Sequence, residues 1–458
     1  MTPPAPLTYS RWIALSLARA CQTDDDAPGG RTASALLGRA TACLGAEHRA
    51  WLLPLCEQLA RLSLPVWQQM TPRLLADHLE LMPAFVAGFD PERPPVHVRR
   101  LLLRPSRMRP PPFALEHLPL PPWHTLADLA AGLGLELSML EVLAGPAQRF
   151  READPTPHRP RVQATAHYRS LLVDKRSGGL RLIEAPLPAL KAVQRRLLRT
   201  LLDRVPVHEA AQGFVAGRNV AGHARMHAGQ AWVFRFDLKD FFPSIGAARI
   251  RALFRTLGFT EAVADTLTTL CTVRTPRAVR ERLRDEGGLS WLEARRLASA
   301  HLPQGAPTSP VLANLCAFAL DLRLDGLAVR FNAQYSRYAD DLVFSGPTTE
   351  GLDAVSLHAW VRAIVEDEGF VLRADKTRLM RAGGRQTVTG LVVNETPHLS
   401  RPDYDRLRAQ LHRLGHEAQV PMSLRAPLLG RLAWARQFVA PSRAEKLQRL
   451  FNAIAFVQ

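Results

Sequence analysis

The sequence predicts an α+β protein, because groups of helix-like patterns and groups of strand-like patterns both occur along a chain apolar enough to form a sizeable core. Of the 458 residues, 47% are hydrophobic and 22% are charged, a composition typical of globular proteins. Several stretches repeat apolar residues every three or four positions, as helices with one buried face do. Others are short apolar runs between turn residues, as strands are.

The first 89 residues are predicted to form a helical extension. Apolar residues such as Leu52, Leu55 and Leu59 recur at helical spacing there. Residues 90–122 carry ten prolines and six arginines, which neither a helix nor a central strand tolerates. We interpret this segment as an extended basic connector.

The remaining residues are predicted to contain both helices and strands. A strand, a Ser-Gly-Gly turn and a second strand are predicted between Tyr168 and Pro186, which gives a basic hairpin. Predicted helices cover residues 126–133, 137–143, 190–205, 247–257, 274–300 and 311–329, and further predicted strands cover residues 231–237, 333–338 and 342–345. A stretch rich in Pro and Gly, residues 301–310, interrupts the helices.

The net charge of +17 predicts a polyanionic partner. The chain has 59 Lys and Arg against 42 Asp and Glu, and only five of the basic residues are lysine. Nucleic acid is the polyanion that such a charge favours, ahead of an acidic protein or a membrane surface.

The cysteines and the chain start indicate a cytoplasmic protein with no membrane partner. The five cysteines show neither metal-ligand spacing nor a disulfide framework. The first residues lack the basic and apolar regions of a signal peptide, and no uninterrupted apolar stretch is long enough to cross a bilayer.

Three carboxylates are the candidate catalytic groups. Asp237 closes an apolar strand, and Asp340 and Asp341 lie between two strand-like runs farther along the chain. Such carboxylates can bind two divalent cations, which activate a 3′-hydroxyl and stabilise leaving pyrophosphate. Taken singly, the Asp-Asp pair also fits a solvated turn, and Asp237 also fits a helix N-cap.

Three motifs around these acids resemble those of reverse transcriptases. They are Arg235-Phe-Asp-Leu-Lys-Asp-Phe-Phe-Pro-Ser-Ile245, Leu302-Pro-Gln-Gly-Ala-Pro-Thr-Ser-Pro310 and Tyr338-Ala-Asp-Asp341. The resemblance implies a right-hand polymerase, with fingers and a palm of antiparallel sheet and helices in residues 123–402. Residues 403–458 would be a helical thumb. The enzyme would be an RNA-directed DNA polymerase that uses dNTPs.

The resemblance also assigns the catalytic groups. Asp237, Asp340, Asp341 and the main-chain carbonyl of Leu238 would bind two Mg²⁺ ions. Lys376 matches a family lysine near the triphosphate, where an ammonium can protonate leaving pyrophosphate and a guanidinium does so poorly.

A nucleotide site is implied by the same motifs. Lys175 and Arg181 match the positions at which the family's fingers hold the triphosphate, although both could simply be solvated hairpin residues. Phe242 would lie beneath the sugar and exclude a 2′-hydroxyl, unless it is an ordinary core residue. Gln304 and Gly305 would approach the nucleotide and the template.

Within reverse transcriptases, the sequence most resembles bacterial retron enzymes, especially the myxobacterial type with an N-terminal extension. Besides the motifs above, His167-Tyr168 and Val388-Thr389-Gly390 are similar to retron elements. The family's Asn-Ala-x-x-His element appears as His223-Ala-Arg-Met-His227, so His223 replaces its Asn. Expected RNA-binding residues are His227, Val388, Thr389 and Gly390, with Arg406 and Arg413 of the thumb.

A retron enzyme is expected to copy part of its cognate structured noncoding RNA into single-stranded DNA. Priming from a 2′-hydroxyl of that RNA would give a branched RNA–DNA product used in antiphage defence, with an effector protein as a further candidate partner. The alternatives are a group II intron-like or diversity-generating reverse transcriptase, a primer-independent DNA synthase, or an idle palm that only binds RNA. Only 56 residues follow Pro402, which argues against an intron enzyme with a maturase domain.

Overall fold

A computed structural model describes residues 8–23, 25, 28–102, 108, 115–145, 162–164, 167–175 and 178–457. The chain divides into two compact units, Met1–Arg107 and Met108–Gln458. The division falls inside the segment interpreted as a connector, and residues 103–107 and 109–114 of that segment lie outside the described residues. Within the described part of the chain, no helix combines the length and the apolar character of a membrane span.

The N-terminal unit is helical. Its helices are α1 (Tyr9–Cys21), α2 (Ala33–Leu44), α3 (Arg49–Ala60), α4 (Leu64–Gln69), α5 (Pro72–Glu80) and α6 (Pro83–Ala87). Their leucines form one core around Leu17, Leu36 and Leu52. The start of the connector packs on this unit, since Val96 is buried in the same core and the main-chain N–H of Arg99 donates to Cys43 O.

The second unit mixes helices and strands. Its helices are α7 (Leu126–Leu133), α8 (Leu137–Ala144), α9 (Pro188–Thr200), α10 (Val220–Met226), α11 (Phe241–Ser244), α12 (Ala247–Thr256), α13 (Glu261–Cys271), α14 (Arg277–Gly287), α15 (Trp291–Ala298), α16 (Ser309–Cys316), α17 (Phe318–Arg330), α18 (Ala354–Asp367), α19 (Arg401–Gly415), α20 (Arg425–Arg436) and α21 (Pro441–Asn452). Its strands are β1 (Val162–Ala164), β2 (Tyr168–Asp174), β3 (Leu180–Pro186), β4 (Trp232–Asp237), β5 (Gln334–Tyr338), β6 (Asp341–Gly346), β7 (Arg378–Arg381), β8 (Thr387–Val388), β9 (Leu391–Val392), β10 (His398–Leu399), β11 (Val420–Pro421) and β12 (Phe456–Val457).

A four-stranded antiparallel sheet, in the order β5-β6-β4-β7, forms the centre of this unit. Side chains alternate between its two faces, as they do in any strand. On one face Phe236 and Phe344 join the main core, which the helices of the unit cover. On the other face Val233 and Val343 pack with Val388 in a smaller cluster.

A second sheet, in the order β1-β2-β3, holds the predicted basic hairpin. The helices α14 and α15 pack against it, because Val279, Leu283 and Leu297 share a small core with Leu172 of β2. The hairpin confirms the predicted strand–turn–strand, although residues 176–177 of its turn lie outside the described residues.

The C-terminal helices α19, α20 and α21 form a bundle with a core of its own. The first of these helices contributes one apolar stripe to that core, and its residues Tyr404, Leu407, Leu411 and Leu414 are all buried. Between this bundle and the central sheet lies a small sheet in the order β10-β9-β8.

Two of the predicted long helices are each divided in two. The segment 274–300 forms α14 and α15, and Gly288 between them has the left-handed φ of +66° that ends a helix. The segment 311–329 forms α16 and α17, which meet at Ala317.

Candidate active site

The three predicted carboxylates meet at one end of the central sheet. Asp237 is the last residue of β4 and stands opposite Asp341, the first residue of β6. Asp340 directly precedes that strand, and its carbonyl accepts a hydrogen bond of 2.8 Å from the N–H of Leu238. Cross-strand partners in an antiparallel ladder have adjacent side chains, so residues 104 positions apart in sequence form one acidic site.

The turn that carries Asp340 has an unusual backbone. Ala339 has a φ of +57°, in the left-handed region that non-glycine residues seldom adopt. The neighbouring backbone comes close to it, because a Cβ on Gly213 would lie 2.8 Å from the N of Ala339. A glycine is therefore required at position 213 if the turn is to keep this conformation.

Two of the carboxylates are paired with cations. Lys376 Nζ donates to Asp237 Oδ2 at 2.7 Å. Arg235, on the same sheet face, donates to both oxygens of Asp341 at 2.9 and 2.6 Å. These pairs reduce the repulsion between adjacent carboxylates.

Burial and mutual repulsion make two of the carboxyl groups weaker acids. Burial raises the pKa of Asp340, and the charge of Asp237 raises it further. Burial also raises the pKa of Asp341, while Arg235 opposes that shift. A carboxylate in this environment gains from a nearby divalent cation, which removes the repulsion.

One oxygen of Asp237 is available to a metal ion. Asp237 Oδ1 is buried and has no hydrogen-bond partner, whereas its other oxygen accepts from Lys376. A hard donor set of carboxylate oxygens fits magnesium or manganese. Among the described residues, no three His, Cys, Asp or Glu side chains are already arranged as a metal cluster.

A cavity of about 320 Å³ opens beside the carboxylates. Seven of the predicted site residues line it: Lys175, Arg181, Leu238, Phe242, Gln304, Asp340 and Lys376. Six of these residues come from the basic hairpin and from all three sequence motifs, and Lys376 comes from the segment just before β7. The cavity thus combines basic side chains with a carboxylate at its edge, as a site for a nucleoside triphosphate requires.

Gln304 and Gly305 join the Pro-rich loop to the basic hairpin. The carbonyl of Gln304 accepts a 2.9 Å hydrogen bond from the N–H of Glu184 on β3. Gly305 has a φ of +136°, and a Cβ there would lie 3.0 Å from Glu184 O. The glycine permits the close approach that this hydrogen bond needs.

Phe242 lies in a cluster of aromatic rings at the cavity wall. Its ring centroid is 6.1 Å from that of Phe214, which in turn is 6.4 Å from that of Tyr338. Phe242 is only partly buried against the main core. It therefore has a free surface toward the cavity as well as a packing role.

Behind the acidic turn lies a buried ionic network that the sequence analysis did not predict. Arg337, with no exposed surface, donates to both oxygens of Asp321 at 2.8 and 2.6 Å. Its remaining guanidinium nitrogen donates to the carbonyl of Ala339 and to Asn314 Oδ1, each at 3.0 Å. Asn314 in turn donates to the carbonyl of Gly213. One arginine therefore supports the turn that carries Asp340.

His223 and His227 are also buried, beneath the sheet face that carries the acids. Nε2 of each lies within hydrogen-bond distance of Ser336 Oγ, at 2.7 Å for His223 and 2.6 Å for His227, and His227 Nδ1 is 2.7 Å from Ser345 Oγ. Burial lowers the pKa of His223 to about 4 and that of His227 to about 3. Both rings are therefore neutral near pH 7.

The predicted RNA-binding residues do not form one patch. His227 and Val388 have no exposed surface, whereas Gly390 is exposed at the turn after β8. On α19, Arg406 and Arg413 are exposed and pair with Asp403 and Glu417. Thr389 has a left-handed φ of +47°. RNA contact by these residues remains a prediction.

Some site residues could not be identified from the sequence pattern. Arg235, Arg337 and Arg296 each lie in or next to the site, yet arginine is so common in this chain that none stood out. A charged residue inside a strand of buried apolar residues was the one available signal, and it applied to Arg235. The strand of Arg337 is largely polar and gave no such signal.

Comparison with known proteins now identifies the site. A family model described as "Reverse transcriptase (RNA-dependent DNA polymerase)" matches residues 173–417, which include the acids, the residues that line the cavity and the basic hairpin from residue 173 onward. The class of protein is thus an RNA-directed DNA polymerase, and members of this class depend on a divalent metal. A search of solved structures returned "Structure of the foamy viral protease-reverse transcriptase in complex with RNA/DNA hybrid.", at 15% identity and a TM-score of 0.31 over 62% of this chain and 32% of that chain. A TM-score so low adds nothing to the assignment.

Similar proteins of known type show to which group of reverse transcriptases the chain belongs. The retron Mx65 reverse transcriptase of Myxococcus xanthus is 42% identical over 330 residues, which are 72% of this chain and 72% of that one. The retron Mx162 enzyme of the same species is 40% identical over 298 residues, 62% of this chain and 57% of that one. The retron Ec86 enzyme of Escherichia coli is 29% identical over 305 residues, 66% of this chain and 82% of that one. The chain belongs to the retron reverse transcriptases.

Proposed function

We propose that this retron reverse transcriptase copies part of its own structured noncoding RNA into single-stranded DNA, primed from a 2′-hydroxyl of that RNA. The observation that carries the proposal is the meeting of Asp237, Asp340 and Asp341 beside a basic cavity. The product is a branched RNA–DNA molecule, and its role is antiphage defence with an effector protein, in the cytoplasm.

The polymerase has the parts of a right hand. The central sheet β5-β6-β4-β7 is the palm, and the basic hairpin β2–β3 belongs to the fingers. The bundle of α19, α20 and α21 is the thumb, whose separate core lets it follow the template–primer without disturbing the palm. Residues 1–89 are an N-terminal extension, joined by the connector of residues 90–122.

Asp237, Asp340, Asp341 and the carbonyl of Leu238 would hold two Mg²⁺ ions. When bound, such ions activate the primer hydroxyl and neutralise charge on the phosphates. The buried Asp237 Oδ1, which accepts no hydrogen bond, and the raised pKa of Asp340 both support a cation here.

The other cavity residues bind and orient the dNTP. Lys175 and Arg181 contact the triphosphate, and Gln304 forms the wall near base and template. Gly305, the next residue along the chain, also approaches the nucleotide and the template. Phe242 fills the space of a ribose 2′-hydroxyl and so favours deoxynucleotides. Lys376 donates a proton to the leaving pyrophosphate, and its hydrogen bond to Asp237 holds the ammonium at the site.

RNA recognition uses the thumb and the face of the central sheet that packs against Val388, opposite the main core. Thr389 and Gly390 contact the cognate RNA, while Val388 and His227 support that surface from inside. Arg406 and Arg413 contact the phosphate backbone, since their guanidinium groups are exposed on α19.

The decisive experiment is to sequence the nucleic acid that purifies with the protein expressed together with its neighbouring locus. A short DNA joined through a 2′-linkage to a transcript of that locus is the expected result. The Asp340→Asn variant serves as the control and should carry the RNA without DNA. DNA made without any such linkage would contradict the proposal and favour a primer-independent synthase. RNA alone with the native protein would favour an idle scaffold.

A further inference from the structure

The helices α14 and α15 form one wall of the nucleotide cavity, and no sequence motif assigns them a role. Leu283, Leu289 and Leu297 line this wall. Thr275, just before α14, donates from its hydroxyl to Glu184 Oε1 of the basic hairpin at 2.8 Å, and its main-chain N–H donates to Leu297 O. The helix pair is therefore held against the same hairpin that carries Lys175 and Arg181.

Arg296, in the last turn of α15, lines the cavity. Within the described part of the chain, its side chain makes no hydrogen bond or ion pair. The neighbouring acid is already occupied, because Glu293 Oε1 pairs with Lys239 at 2.8 Å and Oε2 accepts from the N–H of Ser290 at 2.7 Å. An arginine without an acidic partner beside a cavity favours an anionic ligand.

The helix dipole alone does not explain why an arginine occupies position 296. A cation in the last turn of a helix is favourable, but Arg295 already occupies that turn and stacks over Trp291 at 5.4 Å. Arg295 is exposed and does not line the cavity, whereas Arg296 is half-buried and does. The two adjacent arginines thus share helix, charge and dipole but differ in access to the cavity.

We propose that Arg296 is a third triphosphate-binding cation, which acts together with Lys175 and Arg181 on the incoming nucleotide. This inference rests on the proposed function of the cavity as the dNTP site. Because Leu297 and Leu283 pack α14 and α15 on the hairpin, the three cations form one preorganised group. A guanidinium can bind two phosphate oxygens at once.

The test compares Arg296→Ala, Arg296→Lys and Arg295→Ala in the full-length protein. For Arg296→Ala we expect KM for dNTP to rise about tenfold or more with a smaller change in kcat, as loss of a charge-assisted contact gives. Arg296→Lys should recover part of that loss because it keeps the charge. Arg295→Ala should match wild type.

A second measurement needs no catalysis. Inorganic tripolyphosphate should raise the melting temperature of wild type and of Arg295→Ala, and raise that of Arg296→Ala by less. Equal shifts in all three proteins, or equal KM values for dNTP, would overturn the assignment of Arg296. If wild type bound tripolyphosphate through Arg296 but extended no primer, the proposed polymerase function would fail and the anion site would stand.

Discussion

Asp237 and Asp341 are cross-strand partners in the β4–β6 ladder, and each is paired with a different cation, Lys376 and Arg235. This arrangement places two carboxylates and two cations within one end of a sheet. Asp340 and Arg373, whose Nε is 3.8 Å from Asp237 Oδ1, contribute to the same charge balance, and changes to either carboxylate should affect metal binding before they affect folding.

Asp340→Asn and Asp237→Asn should each reduce dNTP incorporation to less than about a thousandth of wild type. Each change removes a carboxylate oxygen needed for the metal ions and leaves the backbone intact. Primer extension at saturating dNTP measures the effect, and template binding measured by filter retention should be unchanged. Asp353→Asn, which keeps an oxygen for the cap of α18, is the matched control. Incorporation by either site variant at the wild-type rate would contradict the metal assignment.

Phe242→Ala should relax the choice of sugar. Without the ring, a ribose 2′-hydroxyl fits, so the ratio of kcat/KM for dNTP over rNTP should fall by about 10-fold to 200-fold, the range for a contact of this size. Both nucleotides are measured on one template, and dNTP use by the same variant controls for loss of stability. An unchanged ratio with reduced stability would make Phe242 a core residue only.

Lys376→Arg should separate charge from proton transfer. The variant keeps a cation next to Asp237, so KM for dNTP should change little, but a guanidinium holds its proton at any working pH. We expect the single-turnover rate to fall by about 10²-fold. Lys446→Arg, on helix α21, provides the control for a Lys-to-Arg change. A variant as fast as wild type would exclude Lys376 as the proton donor.

Stability should fall with acid because of the two buried histidines. Unfolded histidine has a pKa of about 6.5, whereas burial lowers the pKa of His223 to about 4 and that of His227 to about 3. Between these pKa values the unfolded chain binds more protons than the folded protein does. Each histidine therefore contributes stability that is fully present above about pH 6.5. That stability is lost as the pH falls toward the pKa of the folded state, at up to about 1.4 kcal/mol per pH unit. Urea unfolding between pH 7 and pH 5 measures the slope.

The variant His223→Asn should reduce that slope, because it removes one of the titrating groups. It also restores the residue that the retron resemblance expects there. His412→Asn changes an exposed histidine on α19 and should leave the slope as in wild type. An identical slope in His223→Asn and wild type would show that His223 titrates in the folded protein as it does in the unfolded chain.

Arg406 and Arg413 should contribute to RNA binding through released counterions. Replacing both with alanine should reduce the slope of log Kd against log salt by about 1.4 to 1.8, if each contacts one phosphate. Arg362→Ala removes an exposed arginine that, like Arg413, pairs with a glutamate one turn away, and it should leave the slope unchanged. An equal reduction of the slope in the double variant and in Arg362→Ala would show that the arginines act through the overall charge of the protein and that the thumb makes no specific contact with the RNA.

The strands and the acids could be predicted because their signals are local. The alternation in β2 and β3, the Ser-Gly-Gly turn and the apolar run that ends at Asp237 each lie within a few residues. The division of the predicted helix 274–300 was missed because its charged pattern continues through Gly288, whose left-handed φ becomes clear only in the structure.

The interior of the site could not be predicted because it depends on tertiary contacts. Arg337 on β5 pairs with Asp321 on α17, and nothing in the sequence of either segment indicates that pairing. His227 is buried against Ser336 and Ser345, which are 109 and 118 positions away. Arg296 lies in a segment that resembles any solvated basic helix, and only the packing of α15 brings it to the cavity.

The pairing of Arg337 with Asp321 has a consequence for how this enzyme can diverge. Both side chains are fully enclosed, so losing either one leaves a buried, uncompensated charge, which is far more costly than losing both. Natural variants should therefore carry the two residues together or replace them together. Because the same arginine holds the carbonyl of Ala339, lineages that exchanged the pair would need a new donor for that turn.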